Sequence, residues 1–191
     1  MARTKQFDPE QAVEKAMELF WCRGYEATSL DDLCEHMGIG KGSFYATFGS
    51  KQDLYKRALE KYRALSGAQV VELLSAPGPL RPRLRTMLHR FIADTMRDRR
   101  GCLMGNAAAE RGGVDAATAG CVRASFGDVE RAVAEAIARA QAEGELKTDR
   151  DPQTLAAMLT TFTEGLQLVA KVDTRADVLA QAADHVVASL G

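Results

Sequence analysis

Apolar positions recur three and four residues apart along nearly the whole chain, and glycine and proline clusters cut this pattern into segments. Val13, Ala16, Met17 and Phe20 form the first stripe, entered through Asp8-Pro9-Glu10-Gln11 and stopped at Gly24. Asp8 suits an N-cap, Pro9 the first helical position, and Gln11 the return half of a capping box. Ser29 with Asp32 opens a short second helix whose buried side is Leu30, Leu33, Cys34 and Met37. The turn Gly38-Ile39-Gly40 leads to a third short helix with Phe44 and Phe48 one turn apart. Ser50 with Asp53 caps a fourth, which carries Leu54, Ala58, Tyr62 and Leu65 and runs to about Leu74, before Ala76-Pro77-Gly78-Pro79.

The remainder repeats the pattern with longer segments. Leu84, Met87, Leu88, Phe91 and Ile92 mark a fifth helix ending near Arg100-Gly101. A short segment from about Cys102 to Glu110 precedes Gly112-Gly113, and Val122, Val129, Val133, Ile137 and Ala140 mark a long helix ending near Gly144. Asp151-Pro152 opens a helix over 152–171, and Val178, Leu179, Ala182, Val186 and Leu190 mark the last, over 176–189. Strand-type alternation is absent. The expectation is an all-α chain of about nine helices: a three-helix N-terminal module over 1–50, a connecting fourth helix over 51–74, and a larger helical domain over 75–191.

Composition excludes more than it proposes. At 191 residues, 46% apolar and 27% charged, the chain is an ordinary soluble one. No apolar run approaches the roughly 20 residues of a membrane span, and the start lacks a secretory h-region, so a cytoplasmic protein is expected. Cys22, Cys34, Cys102 and Cys121 form no C-x-x-C pair and have no nearby histidine at zinc spacing, so neither metal nor cofactor is implied. His36, His89 and His185 are scattered without partner motifs, which argues against an enzyme.

The net charge of −1 argues against bulk attraction to nucleic acid, yet the charge is unevenly placed. Between Gly38 and Arg63 lie Lys41, Lys51, Lys56, Arg57, Lys61 and Arg63 against only Asp53 and Glu60. Arg3 and Lys5 add a basic arm, whereas Glu10, Glu14, Glu18, Asp31, Asp32 and Glu35 crowd the first two helices. Two short helices around a glycine turn form a helix-turn-helix pattern, in which the second enters the major groove. With Phe44 and Phe48 turned to the core, Lys41, Gly42, Ser43, Tyr45, Ala46 and Thr47 are left facing outward.

Gly24-Tyr25, Thr28-Ser29-Leu30, Leu33, Gly38-Ile39, Lys41-Gly42-Ser43-Phe44-Tyr45, Phe48, Ser50-Lys51 and Leu54-Tyr55 together resemble the signature of the TetR family of bacterial transcriptional regulators. The resemblance covers residues 8 to 60. It implies that Lys51 and Tyr45 meet the DNA backbone, that Ser43, Ala46 and Thr47 face bases, and that Thr28 and Ser29 lie near phosphates. Ala46 is smaller than the residue usual there, which leaves fewer base hydrogen bonds. The resemblance further implies a homodimer through the last two helices on a palindromic double-stranded operator. Small faces on those helices (Ala156, Thr160 and Thr163; Ala180 and Ala183) are expected to make that contact. An inducer, a small molecule or an electrophile, would release the DNA.

Met87, Phe91, Met104, Phe126, Met158 and Phe162 are the expected lining of the inducer site. Gly101-Cys102-Leu103, followed by Asn106 and Glu110, is similar to a branch of the family that includes the NemR-like electrophile and oxidant sensors. That similarity implies a reactive thiol at Cys102, activated by a helix N-terminus and by Lys171, with a lowered pKa. Two other readings stay open at the level of sequence: a helical interaction or ligand-binding module without DNA binding, and an activator instead of a repressor.

Overall fold

A computed structural model describes residues 7–191. Among these described residues it contains nine helices and no strand: α1 (Pro9–Arg23), α2 (Leu30–Met37), α3 (Lys41–Phe48), α4 (Lys51–Ser75), α5 (Leu80–Asp98), α6 (Leu103–Arg111), α7 (Ala116–Ala142), α8 (Pro152–Ala170) and α9 (Ala176–Ala188). The expected basic arm, Arg3 and Lys5, lies outside the described residues.

The helix starts follow their caps. Asp8 accepts from the Glu10 amide at 2.9 Å, with Pro9 in the first turn, although no bond from Gln11 completes a capping box there. Ser29 and Asp32 do form the reciprocal box at α2, and Ser50, Asp115 and Asp151 cap α4, α7 and α8. The end of α5 is less conventional. Arg99 adopts a left-handed φ of 61°, and its guanidinium donates to the carbonyls of Ala170, Lys171 and Asp173, tying α5 to the end of α8.

Two apolar cores form. Phe20, Leu33, Phe44, Phe48 and Leu54 centre the first, which also takes in Leu103, Met104 and Ala107 of α6 and Val122 of α7. The second joins Leu74, Leu84, Leu88, Ile137, Leu155, Leu159, Leu179 and Ala183. The long helix α4 contributes to both, with Leu54 and Leu59 at one end and Val70 and Leu74 at the other. The N-terminal head therefore shares its core with α4, α6 and α7.

One expectation about faces is overturned. Ala156, Thr160 and Ala183 are buried within the chain, and Thr163 is half-buried with its hydroxyl donating to the Leu159 carbonyl. These small residues let α8 and α9 pack against the body, so they are not available to a partner. The outward side of α8 includes Thr154, Met158, Thr161, Gly165 and Leu168, and Val172, just past the helix end, continues it.

Candidate DNA-binding face and effector cavity

Phe44 and Phe48 are buried at 0% and 2% exposure, and they lock α3 by its inner side onto the head core. Lys41, Gly42, Tyr45 and Ala46 are exposed on the outer side, with Ser43 and Thr47 half-buried beside them. The hydroxyls of Ser43, Tyr45 and Thr47 bond to no described residue, which leaves them available. The N-cap of α3 is Gly40, which offers no side chain, so the first-turn amides are open to an anion. A Cβ on Gly42 would meet nothing within 4 Å, so nothing inside the chain requires glycine there.

Cations behave less uniformly than their sequence clustering suggests. Lys61 turns to Glu10 and Glu14, and Arg63 pairs with Asp128 of α7, so neither belongs to a free basic edge. Lys41 approaches Asp31 at 2.6 Å, on the surface. Lys51 lies 4.1 Å from the centre of the Tyr25 ring, and burial holds its pKa below the usual lysine value. Thr28 departs from expectation: it is fully buried, and its hydroxyl donates to the Gly24 carbonyl at 2.6 Å. Ser29 is exposed, but its hydroxyl is engaged with Asp32 in the cap of α2. Both residues shape the entry to α2, and neither presents a free hydroxyl.

Beneath the head, α1, α4, α5, α6, α7 and α8 surround a cavity of about 280 Å³. Met87, Phe91, Met104 and Phe126 line it as expected, whereas Met158 and Phe162 do not. Met158 faces outward on α8, and Phe162 packs against the second core. Sequence reasoning missed Trp21, Tyr62, Thr160 and Glu164, all of which reach the cavity. One signal was present: Glu164 is the sole charged residue among the 19 of α8.

Cys102 lines the cavity as the N-cap of α6, its sulfur accepting from the Gly105 amide at 3.4 Å. The Tyr62 hydroxyl stands 3.8 Å from that sulfur. The expected lowering of its pKa is overturned. Burial, and then the nearby Glu164 carboxyl, push the thiol up to about 12. Lys171 does not compensate, because its ammonium donates to Asn106 Oδ1 at 2.9 Å. Cys22 is exposed, whereas Cys34 is buried.

The Gly101-to-Glu110 segment joins cavity and head. Gly101, at φ +67°, accepts from the Trp21 indole at 2.9 Å, and a Cβ there would crowd the Lys171 side chain at 3.1 Å. Asn106 bridges the Arg100 carbonyl and Lys171. Glu110 accepts from the amides of Tyr25 and Glu26 at 2.9 and 2.8 Å, just past the end of α1, and Arg111 pairs with Glu26. One short helix thus touches the cavity at its start and the DNA-binding head at its end.

A helix-turn-helix head with an open recognition helix, seated on a helical body with an internal cavity, defines a DNA-binding transcriptional regulator. The chain belongs to the TetR family: residues 12–58 match the bacterial regulatory proteins of the tetR family, and residues 81–186 match the tetracyclin repressor-like C-terminal domain. It is 34% identical to the uncharacterized HTH-type transcriptional regulator YezE of Bacillus subtilis, over 100% of this chain and 98% of YezE. It is 31% identical to the HTH-type transcriptional repressor ComR of Escherichia coli, over 95% of this chain and 88% of ComR. Among solved structures, a cysteine-substituted CifR bound to 26-base-pair double-strand operator DNA superposes with a TM-score of 0.87 at 31% identity, covering 100% of both chains. Reduced NemR of E. coli shares the fold, with a TM-score of 0.84 at 22% identity over 95% of each chain. These relatives are transcriptional regulators, not enzymes. No helix among the described residues is long and apolar enough to cross a membrane.

Proposed function

We propose that this regulator is a repressor that binds a palindromic duplex operator as a homodimer and releases it when a small molecule enters the cavity. The observation that carries the reading is the continuous path from cavity to head through α6: Cys102 and Met104 at one end, and Glu110 on the Tyr25 and Glu26 amides at the other. A ligand that displaces α6 biases the position of α1, and with it the distance between two recognition helices. That distance must match successive major grooves, about 34–36 Å apart. The shift is one of populations, as large as the ligand's preference for one arrangement.

In this reading residues 1–50 form the DNA-binding unit, α4 the connector and the remainder the ligand-binding and dimerisation unit. Lys41, Gly42, Ser43, Tyr45, Ala46 and Thr47 face the major groove, and Lys51 with the open α3 amides holds phosphate. The dimer face is the outward stripe of α8, at alternating intervals of four and three from Thr154 to Val172, with Val178 of α9 beside it. Leu168 at 65% and Val172 at 83% exposure are costly to leave in water, and Thr161 and Gly165 permit close approach. The relatives support repression as well, since ComR is named a repressor.

The test is a fluorescence-anisotropy titration of the full chain against the intergenic DNA upstream of its own gene, repeated at several salt concentrations. Specific binding with a salt slope that falls by about one in Lys51→Ala supports the reading. An unchanged slope removes Lys51 from the phosphate contacts, and indifference to DNA sequence rejects the operator reading.

A further inference from the structure

The cavity is lined by six charged side chains, and five of them lie in ion pairs, with Arg90 and Arg97 sharing one aspartate. Arg97 pairs with Asp94 at 2.7 Å, Arg90 lies 3.7 Å from the same carboxylate, and Arg100 holds Asp98 at 2.9 Å. The sixth is Glu164. No cation and no backbone amide among the described residues pairs with it; its hydrogen-bond partner is the weakly donating thiol of Cys102, and the Tyr62 phenol stands nearby. Space for its carboxyl is made by Gly105, where a Cβ would lie 2.5 Å from Glu164 Oε2. One turn earlier on the same face of α8, Thr160 is 7% exposed, and its hydroxyl has no hydrogen-bond partner.

Buried polar groups ordinarily find partners, because leaving one bare forfeits its hydration without return. A hydroxyl with no partner and a carboxyl served only by a thiol, a helical turn apart on the wall of a single cavity, mark the place of a missing donor. An acidic oxygen calls for a donor, and Glu164 lies in no ion pair among the described residues. The remaining walls are apolar: Met87, Phe91, Met104 and Phe126 enclose a space at the small end of ligand sites, which run from about 300 Å³.

Resting on the reading of this cavity as the inducer site, we infer that its ligand is a small aryl or alkyl amine, bound as the ammonium by Glu164 and Thr160 with its apolar body between Phe91 and Phe126. The ammonium donates to the Glu164 carboxylate and to the Thr160 hydroxyl oxygen. An anionic ligand placed between Phe91 and Phe126 with its charged end at Thr160 would face the Glu164 carboxylate. Cys102 serves in this scheme as wall and helix cap.

Three probes of similar shape and different charge decide it: phenethylamine, phenethyl alcohol and hydrocinnamate, titrated calorimetrically into the full-length protein and into Glu164→Gln. The amine is expected to bind the unsubstituted protein about tenfold or more tightly than the alcohol, with the acid weakest, as a charge-assisted bond requires. Glu164→Gln should bring amine and alcohol to within about threefold of each other while leaving the alcohol's affinity intact. Thermal melts check that this near-isosteric variant is folded, and the charge series on the unsubstituted protein stands without it. Binding of hydrocinnamate equal to that of the amine overturns the inference, as does an amine preference that survives Glu164→Gln. If the alcohol binds and the amine gains nothing, the cavity remains a ligand site and the ammonium inference fails alone. If none of the three binds, both fall, because the alcohol needs only the apolar walls.

Discussion

Gly42 and Glu164 are residues whose identity the folded chain itself does not require. Gly42 lies in a helix, where glycine is less favourable than alanine by up to about 1 kcal/mol, and its surroundings leave room for a methyl group. Gly42→Ala should therefore keep or raise the Tm while weakening operator affinity, and a melt alongside an anisotropy titration reads both. Glu164 is largely buried with only the Cys102 thiol as a hydrogen-bond partner, so desolvation pushes its carboxyl above its ordinary value of 4.5. The wild-type fold is then at no disadvantage below that value and loses stability as the pH rises through the raised one. Glu164→Gln should match the wild type in acid and exceed its Tm by roughly a few degrees at neutral pH, as scanning calorimetry would show. The thiols give a third check. Cys22 is exposed and the Cys102 thiol is held at about 12, so limited N-ethylmaleimide treatment followed by mass spectrometry should label Cys22 well before Cys102. Equal rates would revive a poised thiolate at Cys102.

At the scale of elements, α6 explains why a nine-residue helix carries so many long-range bonds. Its sequence signature, from Gly101 to Glu110, reads at first as a chemical motif around a cysteine. Its residues instead perform joinery: Gly101 for the Trp21 indole, Asn106 for Arg100 and Lys171, and Glu110 for two amides beyond α1. Glu110→Ala should cost about 1 kcal/mol and leave the body helices intact. In hydrogen-exchange measurements the amides of Tyr25 and Glu26 should lose protection while those of α7 and α8 do not. Unchanged protection at both amides would mean that α6 does not hold the head.

Across the whole molecule, the two sides of α8 meet different surroundings. Thr160 and Glu164 turn into the cavity, whereas Met158, Gly165, Leu168 and Val172 turn out. A ligand on one side and a partner chain on the other would place the effector within one helix diameter of the dimer contact. Gly165→Arg puts a charge on the outer side, where a Cβ meets nothing within 4 Å, so the monomer fold should be unharmed. Sedimentation is expected to show a monomer, and operator affinity should fall by about a hundredfold or more as the paired half-site advantage is lost. A dimer that survives this change would move the interface elsewhere.

The sequence by itself determined the helices, the caps at Asp8, Ser29, Ser50 and Asp151, and the open face of α3. Each of these rests on local rules: an apolar period of 3.6 residues, a serine or aspartate at a helix start, a glycine at a turn. Phe44 and Phe48 leave the rest of α3 outside whatever they pack against, so the candidate DNA face was legible without the fold. The cavity was only half legible. Period reveals which residues share a side of one helix but not what covers that side, so Met87 and Phe91 were found while Met158 and Phe162 were misplaced. The same ambiguity put Thr160 and Ala183 on the dimer face, although they pack inward. Cys102, Tyr62, Trp21 and Glu164 come from four separated helices and helix starts, and only tertiary packing brings them to one wall. The direction of the Cys102 pKa was likewise decided there, because burial and a neighbour 62 residues away outweigh a helix N-terminus and a lysine already bonded elsewhere.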